Sequence, residues 1–322
     1  MSEPSSIVNK LATPLALLFN TFVLVQLHGA SASNVGEDSN QSIVSSFLTR
    51  MKENGVENME TMDMVFCGCV AMMGMEALNI VTKKLGKIMN LKYIPVRGKH
   101  LDDLESIDLL YITLNKIATV PFVYLLAKYM YNEPNAVWSL KEMTVSNTLM
   151  TIPPFFIIYD FFYTILHWAL HIQSVYGYIH KHHHRQKAPS RANVDAVNVH
   201  PIEFFLGEYN HLLAIFLWCN VFGMKMHVMT LNVIFTMSAV LTGLNHTRFD
   251  SKIQLLGITL YDSKWHDVHH RIPQSNYGQY TNFWDLVFRS FRAYNPDDRV
   301  NPDNQLGPNG KSLSYNKRVK AE

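Results

Sequence analysis

Histidine is spread along this chain in a way that dictates its architecture. Of 15 histidines in 322 residues, 13 lie between His167 and His270, about a third of the length. Three clusters recur inside that window: His167-x-x-x-His171, His180-x-x-His183-His184 and His266-x-x-His269-His270. Residues three and four apart share a helix face, so each cluster can present its imidazoles to one place. His246 lies 20 residues ahead of the third cluster. A lone histidine near the end of an apolar helix is ordinarily an interfacial polar residue, and that reading is assigned to His28, His100, His211 and His227. The string His180–His184 could by itself be a solvated basic patch, but the repeated His-x-x-His-His spacing argues for a shared use. His182 is off the common face and is expected to point to solvent.

The segments around these clusters are apolar. Hydrophobic residues make up 48% of the chain and charged residues 17%, a charge-poor balance for a soluble protein. Apolar runs lie at 11–29, Met64–Val81, Leu109–Tyr131, Leu149–Leu166, Phe204–Phe222 and Met226–Gly243. About 20 apolar residues cross the hydrocarbon of a bilayer as a helix. The run at 11–29 reads either as a first membrane helix or as a signal peptide, with Ala30-Ser31-Ala32 as a small-residue cleavage site. Glu76 blemishes the second run, and Lys116 and Pro121 interrupt the third. The last two runs are joined by a short turn and read as a hairpin that enters the membrane and returns. The second run is followed by Lys83, Lys84, Lys87, Lys92, Arg97 and Lys99, a basic flank that marks the cytoplasmic side. Counting crossings from there brings all three clusters and His246 to that same side.

The predicted fold is therefore all-α: an integral membrane helical bundle of about four to six membrane helices, with the histidines gathered on its cytoplasmic side. Residues 1–145 form an N-terminal membrane or anchor region, 146–294 the catalytic domain, and 295–322 a Pro-, Asn- and Lys-rich disordered tail. The polar stretch Ser31–Asp63 carries a short amphipathic segment at Ile43–Met51 and the sequon Asn40-Gln41-Ser42; Asn245-His246-Thr247 also fits the sequon. A net charge of +2 argues against nucleic acid as a partner. Cys67, Cys69 and Cys219 sit in apolar runs and suit buried thiols better than disulfides or a zinc knuckle.

Imidazole binds zinc, copper, iron and nickel. A single structural zinc takes about four ligands, and eight histidines in three clusters plus His246 suit two metals better than one. Two irons can activate O2 jointly, which redox-inert zinc cannot. Asp160 lies two turns before His167 inside an apolar run. Such a carboxylate is costly without a partner, and it is expected to accept a proton from a ligand imidazole and fix its tautomer.

The pattern from Asp160 to Tyr294 resembles the fatty acid hydroxylase superfamily, which includes 4-methylsterol oxidases, sterol desaturases and sphingoid-base hydroxylases. The matching pieces, in order, are Asp160, His167-x-x-x-His171, His180-Lys181-x-His183-His184, His200-Pro201-x-Glu203, His246-x-x-Phe249-Asp250, His266-Asp267-x-His269-His270, Asn276-Tyr277-Gly278 and Trp284-Asp285. The resemblance implies a cytoplasm-facing helical cap over the membrane bundle, holding a histidine-rich dimetal site, and a membrane-bound oxygenase that hydroxylates a sterol, fatty acyl or sphingoid C–H bond with two Fe ions and O2. It implies His167, His171, His180, His183, His184, His246, His266, His269 and His270 as metal ligands, with Asp160, His200 and Asp267 behind them. Trp168 stands where many members have Arg, Arg248 where Gly is usual, and Phe288-Arg289-Ser290 where Phe-Gly-Thr often closes the domain. These departures remove no ligand.

Each O2 turnover of a hydroxylase consumes two external electrons. The chain has no Gly-x-Gly-x-x-Gly fingerprint and no haem-attachment motif, so the resemblance implies an external donor such as cytochrome b5 with its reductase. It implies the endoplasmic reticulum as the membrane. Phe155–Tyr163 and Phe204–Trp218 are candidate linings for a lipid route, or simply packed aromatics. Competing readings are a sterol desaturase with the same ligands, a non-catalytic metal-binding membrane protein, and a zinc hydrolase with Asp267 as base.

Overall fold

The computed structural model describes residues 61–97 and 100–295. The run at 11–29, the Asn40 sequon, the amphipathic stretch Ile43–Met51 and the tail after Asn295 lie outside the described residues. The helices are α1 (Thr61–Ile88), α2 (Ser106–Asn132), α3 (Ile152–Leu170), α4 (Gln173–Tyr176), α5 (Asn193–Ala196), α6 (Pro201–Phe216), α7 (Val228–Asn245), α8 (Ser263–Arg271) and α9 (Phe283–Val287). Among the described residues four stretches are long and apolar enough to cross a membrane: Met64–Ile88, Ser106–Asn132, Leu149–Leu170 and Val228–Asn245. The expected fifth run is different. α6 has only 16 residues and carries Glu203, Glu208, Asn210 and His211, and it passes into a wide π-helical turn at Leu217–Val221. Asn135 donates to the Cys219 carbonyl within that turn.

Local chemistry sets the helix starts. Pro153 and Pro154 occupy the first turn of α3, where a missing N–H costs nothing. Pro201 does the same in α6, after His200. At α2, Glu105 and Asp108 cap each other's backbone N–H groups. The two charges that marred the apolar runs meet each other: Lys116 of α2 pairs with Glu76 of α1. Each charge thereby gains the partner that a membrane-spanning segment demands.

The helices have a common pole. Tyr93, just past α1, bridges Phe249, just past α7. Asp108, in the first turn of α2, accepts from Asn198, just ahead of α6. So α1 and α7 end where α2 and α6 begin, and the histidine-bearing end of α3 joins them. At the opposite pole a two-residue parallel pair, β1 (Ala136–Val137) with β2 (Met226–His227), ties the exit of α2 to the entrance of α7. The predicted hairpin of the last two runs opens after its turn: α6 packs on α2 and α3, and α7 on α1. The core between them is aromatic and aliphatic, with Phe155, Phe156, Tyr159, Ile215, Trp218 and Ile234 buried.

Several expectations are corrected here. The chain is not purely helical: besides β1–β2, an antiparallel hairpin joins β3 (Lys252–Leu255) to β4 (Ile258–Asp262). Cys219 is buried, but Cys67 is half-buried and Cys69 exposed, because α1 presents part of its apolar surface outward. His100, His211 and His227 are not interfacial; all are buried. His227 caps α7 by accepting from Met229, and His100 bonds the Ala188 carbonyl. Asn245 is also buried and donates to the Gln279 carbonyl, so its sequon is closed to glycosylation.

Asp160 is the clearest case of chemistry dictating a fold. It is fully buried in α3, and its carboxylate receives the backbone N–H groups of Gln279, Tyr280 and Thr281 and the Thr281 hydroxyl. The chain after α8 is thus bolted to the middle of α3. Asp160→Asn replaces one acceptor oxygen by a donor facing other donors. Hydrogen bonds to charged groups are worth about 1.5–3 kcal/mol, so this variant is expected to melt earlier in detergent by roughly that free energy. An unchanged melting temperature would show that the carboxylate is not the bolt.

Candidate metal centre

The nine histidines expected as ligands meet at the common pole and form two groups. One comprises His167, His171, His180, His184 and His269, and the other His183, His246, His266 and His270; in each, the ligand atoms lie within 4.8 Å of one another. Each His-x-x-His-His cluster is divided between the groups. His180 and His184 join the first while His183 joins the second; His266 and His270 join the second while His269 joins the first. Successive residues of a helical turn point about 100° apart, so the i+3 and i+4 members of one cluster face different neighbours. His183 and His184 sit on a short 3₁₀ turn rather than the α-helix expected, whereas the third cluster rides on α8.

The imidazoles are oriented from behind. The Nδ1 of His167 donates to the Tyr277 carbonyl at 2.8 Å, that of His269 to Ser275 at 2.7 Å, that of His270 to Gln186 at 2.9 Å and that of His246 to Thr242 at 2.8 Å. A carbonyl only accepts, so each Nδ1 carries the proton and each Nε2 keeps its lone pair. The Nδ1 of His180 donates to the Glu203 carboxylate at 2.8 Å.

The freed Nε2 atoms then face one another. His180 Nε2 lies 3.0 Å from those of His167 and His184, and His184 lies 3.1 Å from His269. In the second group the spacings are 3.3 Å for His183–His246, 3.2 Å for His246–His266 and 3.0 Å for His266–His270. Lone pairs set at such distances repel unless a cation accepts them. The Nε2 of His171 is buried with no partner, as a ligand atom would be without its ion. Protonation is no alternative. Burial first, then the neighbouring imidazoles, holds His183, His184, His266, His269 and His270 well below the usual range; burial lowers His246 as well. His171 is pushed down to about 3 by burial and by His180. Neutral imidazole is the form that binds metal, so both groups fit a metal ion.

A loop supplies much of this support. Ser275 and Tyr277 give their carbonyls to His269 and His167. The Tyr277 and Gly278 N–H groups donate to Asp285, and the next three residues to Asp160. Gly278 is required there, since a Cβ would lie 2.3 Å from the Thr281 carbonyl oxygen. Asn276 takes a positive φ of 56° and donates to Trp265 and Arg292 carbonyls; asparagine tolerates that conformation better than most residues.

The residues expected behind the ligands lie elsewhere. Asp160 touches no ligand imidazole because the 279–281 backbone occupies its oxygens. His200 caps α6 by accepting from Ile202 and packs edge-on against Tyr111. Asp267 spends both oxygens on guanidinium groups, 2.7 Å from Arg248 and 3.2 Å from Arg271. Engaged in this way it is unsuited to act as the base of a hydrolase. The carboxylate that does orient a ligand is Glu203, and its signal was the His200-Pro201-x-Glu203 motif. The proline fixes the helix start, and Glu203 in the first turn faces His180. Its second oxygen is buried and unpartnered. His182, expected in solvent, instead contacts Asp108 at 2.9 Å and Asn198 at 2.9 Å. The aromatics expected along a lipid route divide: Phe155, Phe156, Tyr159, Phe204 and Trp218 are buried, Phe161, Phe162, Tyr163 and Tyr209 half-buried, and Phe205 and Phe216 exposed.

Comparison with known proteins agrees with this geometry. The fatty acid hydroxylase family model matches residues 152–290. Methylsterol monooxygenase 1 of Rattus norvegicus is 31% identical over 134 residues, 41% of this chain and 43% of the relative. C-4 methylsterol oxidase erg25 of Schizosaccharomyces pombe is 27% identical over 153 residues, 47% of this chain and 50% of the relative. Lathosterol oxidase of Homo sapiens is 28% identical over 155 residues, 48% of each chain. The chain spans about half the length of the curated relatives it matches. No solved structure matches. The segment that carries every histidine of both groups lies within the residues that match the fatty acid hydroxylase family model, and in it this chain is similar to sterol monooxygenases, oxidases and desaturases.

Proposed function

We propose that this chain is a membrane-bound di-iron oxygenase that hydroxylates a C–H bond of a lipid, with a sterol as the first substrate class to test. The observation that carries the reading is the convergence of nine imidazoles into two groups whose ring nitrogens oppose one another. Imidazole alone does not select iron; the sterol monooxygenase, oxidase and desaturase names of the relatives favour a redox metal over zinc. When bound, two irons would supply the reduction of O2 and the oxidant that an unactivated C–H bond requires.

The chain's own residues would do the rest. His167, His171, His180, His184 and His269 hold one ion, and His183, His246, His266 and His270 the other. Glu203 and the carbonyls of Thr242, Gln186, Ser275 and Tyr277 fix the ring orientations. The ends of α1, α3 and α7 set the ions at the membrane boundary, within reach of a lipid whose tail stays among the helices. The electrons come from outside the chain, as from cytochrome b5 and its reductase. The basic residues after α1 lie at the metal pole, which supports a cytoplasmic face and, with sterol-enzyme relatives, residence in the endoplasmic reticulum. A sterol desaturase is the second reading, favoured by the match to the Delta(7)-sterol 5(6)-desaturase of Eremothecium gossypii, 30% identical over 153 residues. The same ligands serve both outcomes.

Purified protein expressed with iron is expected to hold about two irons per chain, and cells expressing it to accumulate an oxygenated or unsaturated lipid. His183→Ala and His269→Ala strike different groups, and each should abolish that product while leaving membrane insertion intact. Zinc alone after iron reconstitution, with no lipid change, would overturn the oxygenase reading.

Glu203 gives a separate expectation. Loss of a carboxylate behind a ligand typically weakens metal binding about 10- to 100-fold. Glu203→Ala should release iron to a chelator faster by a factor in that range, whereas Glu203→Gln, which keeps an acceptor for His180, should retain most of it. Equal iron retention in Glu203→Ala and the parent protein would remove Glu203 from this role.

A further inference from the structure

The β3–β4 hairpin is built against the usual rules for an exposed turn. Leu255 pairs with Ile258, leaving Leu256 and Gly257 as the two loop residues, at φ 49° and 81°. Two positive φ values in a two-residue loop are the mark of a type I′ turn, whose first position favours Asn, Asp or Gly. Here it is a leucine, in a conformation that its Cβ opposes, and it is 93% exposed. Its neighbours are also aliphatic and open: Leu255 is 60% exposed and Ile258 65%, and Ile253 and Leu260 are exposed too. A tip that gives up both turn preference and solubility has an apolar partner.

The position of the hairpin identifies that partner. Its base is fixed to α7 by Tyr261, which is buried and donates to the Leu241 carbonyl one turn before that helix ends. The hairpin therefore leaves the molecule at the depth where a membrane-length helix finishes. Its first strand follows Asp250, whose N–H donates to the Lys92 carbonyl. The neighbouring segment is the end of α1, where Ile88, Met89 and Tyr93 are likewise exposed. The apolar surface thus runs from a candidate span to the hairpin tip, and Lys84, Lys87, Lys92 and Lys252 stand exposed beside it. Aliphatic groups below a rim of lysines match the boundary between acyl chains and anionic headgroups.

We propose that the β3–β4 hairpin is an interfacial anchor, with Leu255, Leu256 and Ile258 seated in the lipid leaflet at the metal pole. This rests on the reading that the long helices span a bilayer. The anchor would fix the height of α8, which follows β4 directly and carries His266, His269 and His270, above the membrane from which a lipid must rise.

The test uses the full chain in vesicles of phosphatidylcholine and phosphatidylserine. Cys67 and Cys69 are changed to Ser, Cys219 being buried, and an environment-sensitive fluorophore is attached to Leu256→Cys. Quenching by a lipid with a nitroxide near its headgroup is compared with quenching by aqueous iodide. The anchor is supported if the lipid quencher acts strongly and iodide weakly. It is overturned if iodide dominates, or if neither acts, which would mean that protein covers the tip (a second copy or another part of this chain). A probe at Ile117→Cys, on the outer face of α2, separates the two readings: without lipid quenching there, the membrane-spanning assignment itself fails. Leu256→Asn suits the turn better than leucine, so it should preserve folding while raising iodide access to a probe at Leu255→Cys. Unchanged access would count against the leucine's role.

Discussion

Mutual repulsion among imidazole lone pairs is the constraint on which this structure turns. Nine rings are pressed together with their Nε2 atoms inward, most of them fixed in that tautomer by an acceptor on Nδ1. Among the described residues no carboxylate joins either group, and burial holds the imidazoles of His183, His184, His266, His269 and His270 well below the usual range. The surrounding architecture serves to impose this unfavourable arrangement: helices that end at one pole, a cap helix laid across them, and a loop stitched to both. Such a cage is suited to positive charge, which is why its geometry speaks so directly to chemistry.

The stitching is done by carboxylates that never reach a metal. Asp160 and Asp285 gather the backbone N–H groups from Tyr277 to Thr281, and Asp267 joins α8 to Arg248. Through Arg248, which also donates to the Ile94 and Pro95 carbonyls, the segment after α1 is drawn into the same assembly. The arginine found where the superfamily usually has glycine is thus a structural link between the N-terminal region and the cap. The match to the family model begins at residue 152, yet the cage is braced by residues well before it.

Much of this was legible in the sequence, because periodicity and hydropathy are local. The four long apolar runs, the common side of the clusters and all nine converging histidines could be read from spacing and from alternation across a membrane. What could not be read depended on three-dimensional partners. Asp160 and Glu203 are both carboxylates near ligands, and only the path of the 275–281 loop decides that the first binds backbone while the second binds His180. The partition of each cluster between two groups was implicit in helix geometry but hidden by treating a cluster as one face. The β3–β4 hairpin was missed because its turn lacks the Asn-Gly or Asp-Gly signal, although Lys-Ile-Gln-Leu before it alternates as a strand should.

That partition has a consequence for how substitutions act. Because the second and third clusters each contribute rings to both groups, the turn at His180–His184 and the helix Ser263–Arg271 are scaffold that the two groups share. A change that displaces either element therefore moves imidazoles of both groups at once. The two groups form one structural unit rather than two separable ones.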